Sequence, residues 1–351
     1  MMTTASCSAD LTARPQQTLA MMLREMEQGL LAFLTDERVK WVADDERAAV
    51  PVQAVTKLVK AGGKRLRPAF CLTGYFSAGG QMPAERAVRA AIALELLHAS
   101  ALIHDDVMDD SDQRRAMPTV HAEHIAVHRT NGWHGESRRY GESVAILAGD
   151  LAWAYADYFM ADLSADLSRQ WLELRAELVS GQLLDIATAT EFTADPELAR
   201  RIAVVKSGRY TIHRPLVLGS TLAGRSDLAD HFEVYGEALG EAFQLRDDLI
   251  DAFEDGKKSG KPSGLDFRQH KMTVLLSLAV RQDERIRSLV ENGEFDLLRE
   301  RLILCGIRDK VEARIGELVE RAQCAIGEAP LVPDWREQLS RMATEVAYRS
   351  T

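Results

Sequence analysis

Two clusters of aspartates in this chain repeat one spacing. Asp105, Asp106 and Asp109 form a DDxxD, and Asp247, Asp248 and Asp251 form a second. On a helix, residues four apart project from the same face, so each cluster presents a close pair of carboxylates. Carboxylates held that close repel one another unless a cation lies between them. A single DDxxD also suits a solvated acidic helix end, but the second copy argues against that reading. On facing helices the two clusters would place up to six carboxylates around one mouth. Hard oxygen donors of this kind suit Mg²⁺, an ion usually shared between carboxylates and substrate phosphates. No cysteine or histidine set has zinc spacing, and the ExxH of a di-iron bundle is absent from these stretches.

The basic residues point to the same chemistry. Lys64 and Arg67 lie in a loop hinged at Gly62-Gly63, and Arg114 and Arg115 follow the first cluster. Lys257, Lys258, Lys261 and Lys271 follow the second, with Lys206 at a predicted helix end between them. Arginine grips phosphate through a bidentate fork and lysine as a point charge. Any one of these residues reads more readily as an ion pair or part of a solvated face. As a set beside two aspartate clusters they read as phosphate capture. The formal net charge of −10 excludes the broad basic surface on which nucleic-acid binding depends.

The elements that carry these residues are predicted to be helices throughout. Leu19, Met22, Leu23, Met26, Leu30, Phe33 and Leu34 trace one face between Thr18 and about Val42. A short helix around Val52 to Val59 breaks at the paired glycines, and Pro68 suits the first turn of the next. After the loop Gly79 to Pro83, a long helix from about Ala84 to Asp110 ends in the first cluster. His124 to Tyr140 has weak pattern and is expected to be a helix ending in an exposed, mobile loop. Helices resume at Ser143 to Phe159 and Leu167 to Ala187. Another opens at Asp195-Pro196 and reaches Lys206 and Ser207, and one from about Asp227 to Phe253 ends in the second cluster. The fold class expected is all-α, a single large bundle of ten or more helices with a central apolar cavity, after a disordered tail over residues 1–15.

At 351 residues, 46% hydrophobic and 27% charged, the composition is that of an ordinary globular chain able to bury a sizeable core. Cys7, Cys71, Cys305 and Cys324 are scattered and read as reduced thiols. No uninterrupted apolar run approaches bilayer length, and a cytoplasmic protein with no transmembrane segment is expected.

The stretches GGKRLRP, LIHDDVMDDSDQRR, FQLRDDLID and GKPSGLDFRQHKMT together resemble the ordered signature of the trans-isoprenyl diphosphate synthases, the polyprenyl synthetase family. The resemblance runs from about Val52 past Thr273. Within the family the chain is most similar to actinobacterial geranylgeranyl diphosphate synthases. The resemblance implies the isoprenoid synthase fold, a homodimer, and three Mg²⁺ ions per site. It makes Asp105, Asp109 and Asp247 direct metal ligands, with Asp106, Asp248 and Asp251 supporting them. Arg114, Lys206, Lys261 and Lys271 would hold the allylic diphosphate. Lys64, Arg67, His98 and Arg115 would hold isopentenyl diphosphate, while Ser207 and Gln244 face the developing allylic cation. His104 and His121 are left as structural. The implied reaction needs no protein general base, since in the family the released diphosphate is thought to take the final proton.

Some positions depart from the family pattern. Ala116 stands where glycine usually follows the two arginines, Ser207 where threonine is common, His270 where glycine usually precedes the lysine, and Leu275 near a usual proline. Product length in this family is tuned four and five residues before the first motif, where this chain has the small residues Ala101 and Ser100. With Leu97 and Leu94 further down as candidates for the floor, a twenty-carbon product is expected; farnesyl or longer products are the alternatives. A non-catalytic partner subunit would tend to lose its aspartates. A class I terpene cyclase would usually build its second metal motif from Asn, Ser and Glu. Both rivals fit this sequence less well.

Overall fold

The computed structural model describes residues 5–161, 163–253, 265–269 and 271–349. Among these the chain forms fifteen α-helices of seven residues or more and one minimal hairpin, so the all-α expectation holds. Its packing divides into two compact units, residues 18–69 with 84–163, and residues 1–17 with 70–83 and 164–351.

The first unit holds most of α1 (Ala5–Asp44), α2 (Val50–Lys60), α4 (Glu85–Met108), α5 (Val120–Thr130) and α6 (Ser137–Phe159). Leu19, Met22, Met26, Leu30 and Leu34 of α1 are buried, at the spacing that defines one helix face. α4 is buried nearly all round, from Ala87 through Ile103, as befits a helix apolar on every side. By length and composition it could cross a bilayer, but Arg89 and Glu95 interrupt it and 72% of that window is buried inside the protein. A buried hydroxyl ties α6 to α1: Tyr155 donates to Glu37 at 2.8 Å and accepts from Trp41 Nε1 at 3.0 Å. The stretch expected to end in a mobile loop is mostly helix, because α5 runs to Thr130 and α6 starts at Ser137. Only the short connection between them is non-helical.

The second unit is built around α10 (Ala229–Phe253), whose buried positions include Phe232, Tyr235, Leu239, Leu245 and Leu249. Around it lie the greater part of α3 (Leu66–Ser77, from Phe70 on), α7 (Ala165–Glu191), α8 (Pro196–Ile202), α9 (Arg214–Leu222) and the run α11 (Val274–Gln282), α12 (Arg285–Glu291), α13 (Phe295–Leu304), α14 (Ile307–Gly327) and α15 (Pro333–Ala347). Glu241, buried within α10, is neutralised by Arg200 at 2.8 Å and Arg314 at 3.1 Å, the pairing a buried charge requires. The helix expected to open at Asp195-Pro196 and reach Lys206 and Ser207 does not stay α-helical to that point. It gives way to an eleven-residue π segment, Ala203–His213, a form that appears frequently at functional sites.

His213 ends that segment, packed against Gly236 of α10, where a Cβ would strike it. Burial, and then Arg214 and Arg209, push its imidazole down to about 3, so the folded protein refuses a proton that the unfolded chain accepts near pH 6.5. Stability is therefore complete above pH 6.5 and falls as pH drops from there toward 3. The slope from this group is ~1.4 kcal/mol per pH unit. Denaturant unfolding at pH 6.5 and 5 should show the wild type losing ~2 kcal/mol more than His213→Gln; equal losses would remove this account.

Candidate active site

In the first unit, Asp105 and Asp106 lie in the last turn of α4, and Asp109 caps it through its N–H to the Asp105 carbonyl. The chain then makes a two-stranded hairpin, β1 (Gln113–Arg114) against β2 (Met117–Pro118), where a plain loop was expected. The hairpin swings Arg114 back over the motif. Its Nε donates to both oxygens of Asp106 at 2.9 and 3.0 Å, and its NH2 reaches Asp105 at 3.4 Å. Burial pushes the Asp106 carboxyl up, and Arg114 opposes that shift.

The two residues at the tip, Arg115 and Ala116, have φ of 54° and 59°, the pair of left-handed conformations that a type I′ turn demands. Left-handed backbone costs a residue with a Cβ about 1 kcal/mol or more, and Ala116 is one of the positions noted above as departing from the signature that the chain resembles. Ala116→Gly should therefore stabilise the protein by about 1 kcal/mol in thermal or urea unfolding. A loss of stability would show that the hairpin is not strained there.

Arg115 donates from the tip to the Gly62 carbonyl. A Cβ on Gly63, where φ is +154°, would lie 2.9 Å from its guanidinium, so this glycine makes room for the arginine. The same loop is anchored from below by Arg65, which bonds Glu27 at 2.8 Å, the Val59 carbonyl at 2.8 Å, and buried Glu95 of α4. Arg65 thus faces inward while its neighbours Lys64 and Arg67 flank it. Arg67, Arg114, Arg115 and Arg65 all act on His98, whose imidazole is held well below its ordinary value by burial and then by their charges. His98 is therefore neutral among arginines. The four residues expected to hold one diphosphate come from four places, with Lys64 in the loop, Arg67 in α3, His98 in α4 and Arg115 at the hairpin tip, and the structure brings Arg67, His98 and Arg115 together. His104 packs on Gly149 and meets the Ile146 carbonyl at 3.1 Å, and His121 is buried beside Thr119; both serve packing.

In the second unit, α10 presents Asp247, Asp248 and Asp251. The π segment is gripped by glycines on two sides. A Cβ on Gly181 of α7 would lie 3.0 Å from the Lys206 Cα, and one on Gly240 of α10 would strike the Gly208 backbone. One turn beyond each glycine is a side chain that meets the segment. Asp185 of α7 bonds Lys206 Nζ at 2.5 Å, and Gln244 of α10 accepts from Ser207 Oγ at 2.8 Å. Gln244 in turn donates to Asp248 at 3.0 Å. A cavity of about 110 Å³ opens here, lined among others by Asp185, Lys206, Ser207, Gln244, Asp248 and Lys271. Burial holds the Asp248 carboxyl well above its ordinary range, and among the described residues its buried Oδ2 meets no hydrogen-bond partner. Asp266 also lines the cavity; burial and the neighbouring Asp251 push it up to about 7, against the pull of Lys271. Asp247 is held by Arg349, whose guanidinium also stacks on Phe243 at 3.7 Å.

Among the described residues no three acidic, histidine or cysteine side chains converge as a ready metal site; arginines hold Asp105, Asp106 and Asp247 instead. The donor set is nonetheless all carboxylate, and the unpaired buried oxygen of Asp248 suits a hard cation. Lys257, Lys258, Lys261 and His270 lie outside the described residues. Sequence reasoning missed Asp185, Asp266, Arg349 and the Arg65–Glu95 anchor. Asp185 and Arg349 become visible only through partners far away in the chain.

Residues 50–297 match the Polyprenyl synthetase family. The chain belongs to that family, the trans-isoprenyl diphosphate synthases. A geranylfarnesyl diphosphate synthase of Aeropyrum pernix is 32% identical over 78% of this chain and 86% of its own length. A geranylgeranyl diphosphate synthase of Cyanophora paradoxa is likewise 32% identical, over 77% and 90%. The geranylgeranyl pyrophosphate synthase of Corynebacterium glutamicum, whose crystal structure is complexed with isoprenyl diphosphate and magnesium, is 34% identical. It superposes with a TM-score of 0.88 over 94% of this chain and 99% of that one. This polyprenyl synthetase therefore has the isoprenoid synthase fold that its sequence implied.

Proposed function

We propose that this chain is a Mg²⁺-dependent prenyltransferase that condenses isopentenyl diphosphate head-to-tail with allylic diphosphates and releases geranylgeranyl diphosphate. The observation that carries the reading is the small cavity in which Lys206, Lys271, Ser207, Gln244 and Asp248 meet. It sets phosphate-binding cations beside neutral oxygens and a carboxylate. Asp105, Asp109 and Asp247 would hold the ions, with Asp106, Asp248 and Asp251 in support. When bound, Mg²⁺ neutralises charge on the departing diphosphate. Lys206, Lys271 and Arg114 would hold that diphosphate by their own charges, as would Lys261. The Ser207 hydroxyl and Gln244 amide oxygens, fixed by their mutual bond, stabilise positive charge developing on the allylic carbon. Lys64, Arg67 and Arg115, around a neutral His98, receive the second diphosphate.

The small Ser100 and Ala101 support a product beyond fifteen carbons. Ser100 is fully buried whereas Ala101 is part-exposed, so a bulky residue at 101 has somewhere to go and one at 100 does not. Purified protein given isopentenyl and farnesyl diphosphates with Mg²⁺ should yield a twenty-carbon product by chromatography. Ala101→Phe should shorten it. A dominant product of thirty or more carbons, or no extension of the farnesyl substrate, would sink the chain-length reading; inactivity without a partner chain would make this a subunit. A cytoplasmic homodimer completes the proposal. Leu172, Val179, Leu183 and Ile186 are exposed on α7 and recur at seven, four and three, an apolar stripe that suits a second copy.

A further inference from the structure

We infer that Asp185 is a positioning residue: it holds the Lys206 ammonium at the mouth of the cavity and hands it to the incoming diphosphate. The inference rests on the prenyl-transfer reading and adds to it a carboxylate outside both DDxxD motifs. Three observations carry it. Asp185 Oδ2 lies 2.5 Å from Lys206 Nζ, and the two side chains are about equally part-buried, at 21% and 23% exposed. Both line the same cavity, together with Ser207 and Gln244. The approach is also built into the backbone. Gly181, one turn before Asp185, lets α7 come so close to the π segment that any Cβ there would press on the Lys206 backbone from 3.0 Å.

The arrangement has a physical logic. Lysine is a flexible point charge with several rotatable bonds, so an unheld ammonium spends little time in one place. A charge-assisted bond to Asp185 fixes it before the ligand arrives, and preorganisation of this kind is where electrostatic catalysis gains most. A diphosphate brings more negative charge than one carboxylate and can take the ammonium over. Asp185 therefore has two effects of opposite sign: it improves the placement of Lys206 in the reaction, and it competes with the diphosphate for that lysine in the ground state.

That opposition makes the test specific. Binding of inorganic diphosphate would be measured by calorimetry for the wild type, Asp185→Asn, Lys206→Gln and the double variant. Turnover of an allylic diphosphate with isopentenyl diphosphate would be measured for the same four proteins. Asp185→Asn should bind inorganic diphosphate several-fold more tightly, yet lower kcat by about tenfold or more. In the Lys206→Gln background the same change should alter each quantity by less than about twofold, because residues acting through one another are not additive. Weaker or unchanged diphosphate binding in Asp185→Asn, or effects that simply multiply in the double variant, would overturn the inference. A wild type that fails to condense the two substrates but still shows the binding cycle would instead refute the prenyl-transfer reading and leave the positioning role standing.

Discussion

Asp105→Asn and Asp247→Asn should each lower kcat/KM by about a thousandfold while the protein stays folded. Asparagine keeps the shape of the side chain and removes only the anion, so the expected loss is that of a ligand to a cation which neutralises the leaving group. Both positions are open enough for this to be clean, with Asp105 25% and Asp247 45% exposed. Their ion pairs to Arg114 and Arg349 are therefore partly screened by water, and breaking one should cost no more than about 1 kcal/mol of stability. Asp106→Asn is the contrasting case. Its carboxylate is 5% exposed and faces the largely buried Arg114, so that variant should lose stability as well as activity. Steady-state rates across a Mg²⁺ titration, with thermal unfolding of each variant, check all three. If Asp105→Asn turned over near the wild-type rate at saturating Mg²⁺, the carboxylate clusters would not be the metal site.

The second large effect is structural and lies at the loop between α2 and α3, proposed above to receive a diphosphate. Glu95→Ala should destabilise the protein by about 3 kcal/mol. Arg65 and Glu95 are 8% and 7% exposed, and removing one member of a buried pair strands the other's charge where water reaches it poorly. Glu27 and the Val59 carbonyl still contact Arg65, which keeps the expected cost at the lower end of the range. The loop it anchors carries Lys64 and leads into Arg67 in the first turn of α3, so the KM for isopentenyl diphosphate should rise in the same variant. Urea unfolding together with that KM is the measurement. A change below about 1 kcal/mol would mean that Glu27 alone suffices to hold the loop.

The helical class and the position of both aspartate clusters could be read from the sequence, because they depend on local periodicity. α4 and α10 carry their motifs at their last turns, as the apolar residues preceding Asp105 and Asp247 foretold. Less legible was anything decided by a distant partner. The π segment has no composition of its own, and its register is set by Gly181 and Gly240 pressing from other helices. The hairpin after the first motif was hidden because Arg115-Ala116 lacks the Asn-Gly or Asp-Gly that ordinarily announces such a turn. Asp185 sits twenty-one residues from Lys206 in what reads as an ordinary amphipathic helix. Arg65, between Lys64 and Arg67 in sequence, takes no role from the sequence alone, and only its contact with Glu95 shows that it anchors the loop.

The unbroken course of α4 has a consequence for how such a protein can change. Each residue along it advances about 1.5 Å and turns through a fixed angle, so four residues make slightly more than one full revolution. Ala101, Leu97 and Asp105 are geared to one another by that pitch. A single insertion or deletion between Ala101 and Asp105 would swing the carboxylates roughly a quarter-turn or more away from the wall below them. Adjustment in this helix is therefore confined to the bulk of individual side chains. On the proposed product-length role of Ala101 and Leu97, descendants of this chain would diverge in what they make by exchanging residues at fixed rungs, while the count of rungs stays locked.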